Sequence, residues 1–124
     1  MRDDSELISL RPEVFTEETT VSGIETFQNL VLRPILKYQH TLIIQLTKSH
    51  DLFQKQFSKS RTIQEKRTVI KQFFITQVNF KYFLIGQICG IMTNDEFNTY
   101  LKNKKELDKR LVGMLTERIL SHYV

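Results

Sequence analysis

Apolar residues recur at positions 24, 27, 31, 35, 38, 42 and 46. They advance in steps of three or four, close to the helical period. Phe53 and Phe57 continue the same face, so the pattern predicts one long helix over about residues 23–57. Pro34 falls inside that helix. A proline removes a backbone amide and crowds the carbonyl four residues back, so a kink is expected there. A break into two helices is the alternative.

Four places carry the spacing of a helix capping box: Ser22 with Glu25, Thr62 with Glu65, Thr93 with Glu96 and, more loosely, Asn103 with Glu106. In such a box the first side chain accepts from an orphan amide of the first turn while the second reaches back. Ser58–Arg61 reads as a turn, and Thr62 opens a second helix running to about Met92. Thr93 opens a short helix with Phe97, Tyr100 and Leu101 on one side. Asn103 opens a last helix with Leu107, Leu111, Met114, Leu115 and Ile119 on one face. No segment alternates with period two between Gly or Pro boundaries, and no internal repeat occurs. The predicted fold is all-α: an up-down helical bundle of three long helices plus one short helix, the first kinked at Pro34.

The second helix is apolar around most of its circumference. From Val69 to Met92, 15 of 24 residues are apolar and only Lys71 and Lys81 are charged. Such a helix is buried on more than one side, which the rest of a small monomer cannot easily achieve. A homodimer contact is therefore expected on the arc bearing Phe74, Val78, Tyr82, Ile85 and Met92, or on the opposite one. The remaining arc carries Gln72, Thr76, Asn79, Phe83, Gly86 and Gly90, with small residues at a spacing that permits close backbone approach or simply marks the wetter face.

Polar residues interrupt the apolar arcs. An antiparallel hairpin turning near residue 60 pairs positions whose numbers sum to about 120. That brings Gln39 near Gln77 or Lys81, and Gln28 near Gln87. Gln39, Gln77 and Lys81 form a candidate polar layer, either a hydrogen-bonded layer that fixes register or the lining of a small-ligand pocket. Lys81 and Arg118 can also extend to water.

Charge changes the picture in one respect. The 124 residues carry a net +4, but residues 1–26 hold two basic and seven acidic residues, a local −5, leaving +9 for the remainder. The expected organisation is a mobile acidic leader over residues 1–21 and a single bundle domain over residues 22–124. Candidate polyanion contacts are Lys55, Lys59, Arg61, Lys66, Arg67, Lys102, Lys104 and Lys105. Both basic clusters are interrupted by acidic or apolar residues and carry no nucleic-acid-binding motif, so a solvated helical surface is the simpler account.

Chemistry is sparse. The lone Cys89 sits among apolar residues and precludes an intrachain disulfide. His40, His50 and His122 are scattered, and no Gly-rich phosphate loop or metal-ligand spacing occurs. No catalytic, cofactor-binding or metal-binding residue is assigned, no cofactor is expected, and the reading leans away from an enzyme. The polar start and the unpaired thiol fit a cytoplasmic protein, and no stretch is apolar for the ~20 residues of a membrane span.

The segments Phe27-Gln28-Asn29 and Leu32-Arg33-Pro34-Ile35-Leu36-Lys37-Tyr38-Gln39 resemble a block of short, uncharacterised all-helical bacterial proteins. Tyr100-Leu101-Lys102-Asn103 with Leu107-Asp108-Lys109-Arg110 is similar to the C-terminal block of the same family. Some of those proteins are labelled glyoxalase. Metal-dependent glyoxalases use strand-rich folds with His and Glu ligands, which this chain does not present, so no residue role carries over. Three functions stay open: a non-enzymatic homodimeric interaction or scaffold module, polyanion or nucleic-acid binding through the basic clusters, and a small-molecule or enzymatic site in the polar layer.

Overall fold

In the computed structural model, residues 2–12 and 23–123 are described, and they are all-helical. Helix α1 spans Asp4–Ser9 and α2 spans Gly23–Phe27. A π-helical turn, Gln28–Leu32, joins α2 to α3, Arg33–Lys48. Then follow α4 (Asp51–Phe57), α5 (Ile63–Thr76), α6 (Val78–Cys89), α7 (Asn94–Lys102) and α8 (Lys104–His122).

The helical run containing Pro34 is not broken at the proline. Pro34 occupies the first turn of α3, where its missing amide costs least. The Arg33 amide reaches the Gln28 carbonyl, five residues back, so the disturbance takes the form of a π turn. The run ends sooner than the periodicity predicts. It stops at Lys48, and Ser49 and His50 separate it from α4, with His50 in extended conformation before the first turn. Phe53 and Phe57 keep their expected place in the core.

The second predicted helix is also divided. Gln77, with φ −103° and ψ 68°, ends α5 and begins α6. Just before the break, the Thr76 hydroxyl donates to the Gln72 carbonyl at 3.0 Å.

Two of the predicted capping boxes form. Thr62 Oγ1 accepts from the Glu65 amide at 3.1 Å, and the Glu65 carboxylate accepts from the Thr62 and Arg61 amides at 3.2 and 2.7 Å. Those two amides hold the Glu65 carboxyl below the usual range. Thr93 and Glu96 repeat the arrangement at α7. Asn103 does not cap α8. Its side-chain amide donates backwards to the Thr99 carbonyl, and Glu106 pairs with Arg110 one turn on. Ser22 of the remaining box lies outside the described residues.

Helix α8 packs against α5 and α3, and α3 against α6. The shared core includes Leu32, Ile35, Ile43, Phe53, Ile70, Leu84, Ile88, Leu107, Leu111, Leu115 and Ile119, all fully buried. Full burial of each such side chain is worth about 1.5–3 kcal/mol.

The acidic leader is not uniformly without structure. Asp3 caps α1 by accepting from the Ser5 amide, and Leu7 is buried. Arg2 donates to the carbonyls of Gly90 and Met92. Arg11 donates to the Ile91 carbonyl and to both Glu96 oxygens. Charge had suggested a loose segment over residues 1–21. For residues 2–12 the two arginines, rather than the acids, decide the outcome. Residues 13–21 of that segment lie outside the described residues.

Candidate functional site

The described surface that gathers most chemistry lies between α8 and the α5–α6 junction. A groove of about 590 Å³ is lined there by Phe74, Ile75, Lys81, Tyr82, Lys104, Lys105, Asp108, Lys109 and Val112. Four lysines border it, while Ile75, Tyr82 and Val112 supply apolar wall. The size falls within the range of small-ligand clefts.

Asp108 anchors the groove from below. It is buried, one turn into α8. Lys104 Nζ donates to its Oδ2 at 2.6 Å, and the Tyr100 hydroxyl donates to its Oδ1. The Tyr82 hydroxyl stands 3.5 Å from Oδ2, a weak contact. Lys104 Nζ also lies 4.6 Å from the Tyr82 ring centroid, and Lys81 Nζ lies 4.7 Å from it. Tyr82 thus stabilises two ammonium groups through its ring, each contact being worth about 0.5–1 kcal/mol where exposed.

The electrostatics around this carboxylate suppress acid–base chemistry nearby. Burial, and then the hydrogen bond to Asp108, push the Tyr100 phenol well above its ordinary range. Burial pushes the Cys89 thiol up to about 11, with the Asp108 charge adding to the effect. A thiol held protonated is a poor nucleophile. The Asp108 hydrogen bond raises Lys104. Among the described residues no group of three His, Cys, Asp or Glu side chains is placed to hold a metal ion.

Of the basic residues singled out in the sequence, the structure brings Lys104 and Lys105 into this groove beside Lys81. Arg67 is elsewhere, paired with Glu117 at 3.1 Å. Lys59 lines a separate cleft at the α4–α5 turn together with Glu65. Lys55, Arg61 and Lys102 are exposed and Lys66 half-buried, none of them lining this groove. Lys109, Asp108 and Tyr100 were not singled out as site residues. Asp108 sits four residues after Lys104, an ion-pair spacing that sequence can display, but its contact with Tyr100 depends on how α7 folds onto α8.

The predicted polar layer does not form. Gln39 Nε2 donates to the Gln87 carbonyl at 3.0 Å, not to Gln77 or Lys81. Gln28 accepts from Arg110 instead of meeting Gln87. Gln77 is spent on the helix break, and Lys81 lies over Tyr82. The positions that meet at Gln39 sum to 126 rather than about 120.

The expected dimer arc is divided in the same way. Phe74, Ile85 and Met92 are 1%, 3% and 0% exposed, because they belong to the core cluster of a single chain. Val78 and Tyr82 stay exposed, joined by Phe83 and Ile75. On α6 the outer face now reads Val78, Asn79, Tyr82, Phe83, Gly86 and Gly90, all exposed. A Cβ at Gly86 would meet nothing within 4 Å. This face combines two members of the expected arc with the small-residue arc beside it.

No described helix is long and apolar enough to cross a membrane. In comparisons with protein-family models, curated proteins and solved structures, nothing matches the chain.

Proposed function

We propose that the chain is a non-enzymatic helical interaction module that self-associates as a two-fold homodimer through the outer face of α6. The observation that carries this reading is the exposure of Val78, Tyr82 and Phe83 at 45%, 42% and 48%, around an unobstructed Gly86. Flanking aromatic and β-branched side chains provide apolar contact, and the glycine lets a second helix approach closely. The same patch serves both copies under two-fold symmetry. Each copy would need to contribute about 800 Å² for a standard interface. The reading takes the chain as an up-down bundle bent at Pro34, with the lone thiol suited to the cytoplasm.

Sedimentation velocity at micromolar concentration tests it. The unmodified chain is expected to be dimeric, and Phe83→Glu and Val78→Glu are expected to be monomeric. Both positions are exposed within one chain, so the variants keep their helical content and unfolding midpoint. A monomeric unmodified chain, or dimeric glutamate variants, overturns the proposal.

A second reading rests on the lysine-bordered groove. Lys81, Lys104, Lys105 and Lys109 suit a polyanion held by charge, with affinity falling steeply as salt rises. Titration of a labelled single-stranded oligonucleotide tests it. Lys105→Gln with Lys109→Gln should weaken binding and flatten its salt dependence, and an unchanged affinity excludes the groove.

A further inference from the structure

A separate groove, also of about 590 Å³, lies between the π-turn region and α8. It is lined by Gln28, Arg33, Arg110, Gly113, Met114, Glu117, Arg118 and Ser121. Three guanidinium groups therefore border one cleft, and they are differently engaged. Arg110 is held by Glu106 at 3.1 Å and by Gln28 Oε1 at 3.0 Å. Arg33 contacts the neutral Asn29 Oδ1 at 2.9 Å. Arg118 contacts His40 Nδ1 at 3.3 Å. Arginine has no acceptor, so His40 must receive this bond on an unprotonated Nδ1 and is the neutral tautomer. Among the described residues lining the groove, Glu117 is the one carboxylate, and it accepts from Arg67. Among the described residues, neither Arg33 nor Arg118 has a carboxylate within ion-pair distance.

Arg118 is half-buried, and this is costly for a cation without a counter-charge. Burial, and then the Arg33 charge, disfavour its protonated form. Burial and the Arg118 charge likewise keep His40 below its ordinary range, so the histidine supplies an acceptor and no compensating charge. The fork of a guanidinium matches a tetrahedral oxyanion with two parallel hydrogen bonds. The cleft is larger than one oxyanion. Gly113 leaves part of its wall open, since a Cβ there would meet nothing within 4 Å, and Met114 offers an apolar contact beside it.

We propose that this cleft binds the phosphoryl group of a small phosphorylated molecule, with Arg33 and Arg118 as its ligands, Arg110 as a fixed third cation and the body of the molecule lying along Gly113 and Met114. His40 is the positioning residue that orients Arg118.

Isothermal titration of the full chain with inorganic pyrophosphate, at constant ionic strength set by chloride, tests the proposal. Saturable one-site binding is expected. Arg118→Gln should weaken it about tenfold or more, the loss of one charge-assisted pair. Because Arg118 is half-buried, the exposed Arg33→Gln serves as the second variant. It should keep the thermal midpoint and still lose several-fold in affinity. Lys105→Gln with Lys109→Gln should bind like the unmodified chain. No saturable binding, an affinity unchanged from the unmodified chain in both arginine variants, or binding lost only in the lysine variant overturns the proposal. Binding confined to an oligonucleotide, with none to pyrophosphate, also overturns it and favours the polyanion reading.

Discussion

The Arg11 guanidinium grips the Glu96 carboxylate with both of its terminal nitrogens, at 2.7 and 2.6 Å, and joins the first helix of the chain to the cap of α7. The Arg11 side chain is 6% exposed. Glu96 Oε1 also accepts from the Thr93 amide at 2.8 Å. One carboxylate thus closes a helix and docks a distant segment. Its burial would raise its pKa, but the hydrogen bonds from Arg11 and Thr93 outweigh that and hold it below the usual range. A carboxyl whose pKa is lower when folded contributes stability above its unfolded value and loses it as pH falls through the folded one. Glu96→Gln should therefore cost about 1–2 kcal/mol at neutral pH and less in acid. Urea unfolding at pH 7 and again near pH 3 measures both. Equal losses at the two pH values would refute the assignment. Arg11→Ala keeps the cap but releases α1, so amide exchange at Leu7 should accelerate.

The glycines separate by their surroundings. Gly86 and Gly113 lie inside helices with open space where a side chain would go. Alanine at either should stabilise the single chain by about 0.5–1 kcal/mol through reduced unfolded-state freedom. Gly90 has φ −62° and would place a Cβ 3.2 Å from the Gly86 carbonyl oxygen. Its alanine variant should gain nothing or lose slightly. Urea midpoints of the three variants decide the order.

Cys89 should be chemically quiet. With its thiol pushed up to about 11 from 9.0, the folded chain should react with a disulfide reagent roughly a hundredfold more slowly than the urea-unfolded chain. Asp108→Asn removes one of the two causes and should accelerate the folded reaction. Equal rates in folded and unfolded chains would contradict the burial assigned to the thiol.

How legible the fold was depends on the range of the interaction that fixes each element. The capping boxes at Thr62 and Thr93 are local, spanning three residues, and sequence spacing identified both. The core face of α8 followed from periodicity, and Leu107, Leu111, Leu115 and Ile119 are buried, as are Phe53 and Phe57. But Tyr38 and Leu42 of the expected first-helix face and Phe97 and Leu101 of the short helix are exposed, while Leu36, Ile43 and Ile44 are buried in their stead. The interruptions at Ser49–His50 and Gln77 left no such mark. Helical periodicity runs across them because the chain rejoins the same core on either side. Counting from residue 60 assumes two unbroken helices, and the pairings inferred that way for Gln39 and Gln28 do not form. Gln39 meets the Gln87 carbonyl instead. The docking of residues 2–12 was hidden for another reason. Arg2 and Arg11 bind carbonyl oxygens around residues 90–92, and net charge carries no information about such contacts. The Lys104–Asp108 spacing was visible in the sequence, but Tyr100 and Tyr82 join it only through the packing of α6, α7 and α8.

The cluster around Asp108 should rank its members by burial rather than by charge. Lys104 is the charged partner, but its side chain is 46% exposed and the pair is one helical turn apart. Such pairs contribute about 0.3–0.5 kcal/mol, so Lys104→Ala should be mild. Tyr100 is 3% exposed and donates its hydroxyl to the carboxylate. Tyr100→Phe deletes that donor and should cost about 1 kcal/mol. Asp108→Ala leaves the buried Tyr100 hydroxyl without its acceptor and Lys104 without its counter-charge, and should cost about 2–3 kcal/mol. The double variant with Tyr100→Phe should be less damaged than the sum, since the stranded hydroxyl is then gone. Urea denaturation of the four chains gives the coupling directly. An Asp108→Ala variant no weaker than Lys104→Ala would mean that the carboxylate is a surface charge, and the lysine-bordered groove would lose its floor.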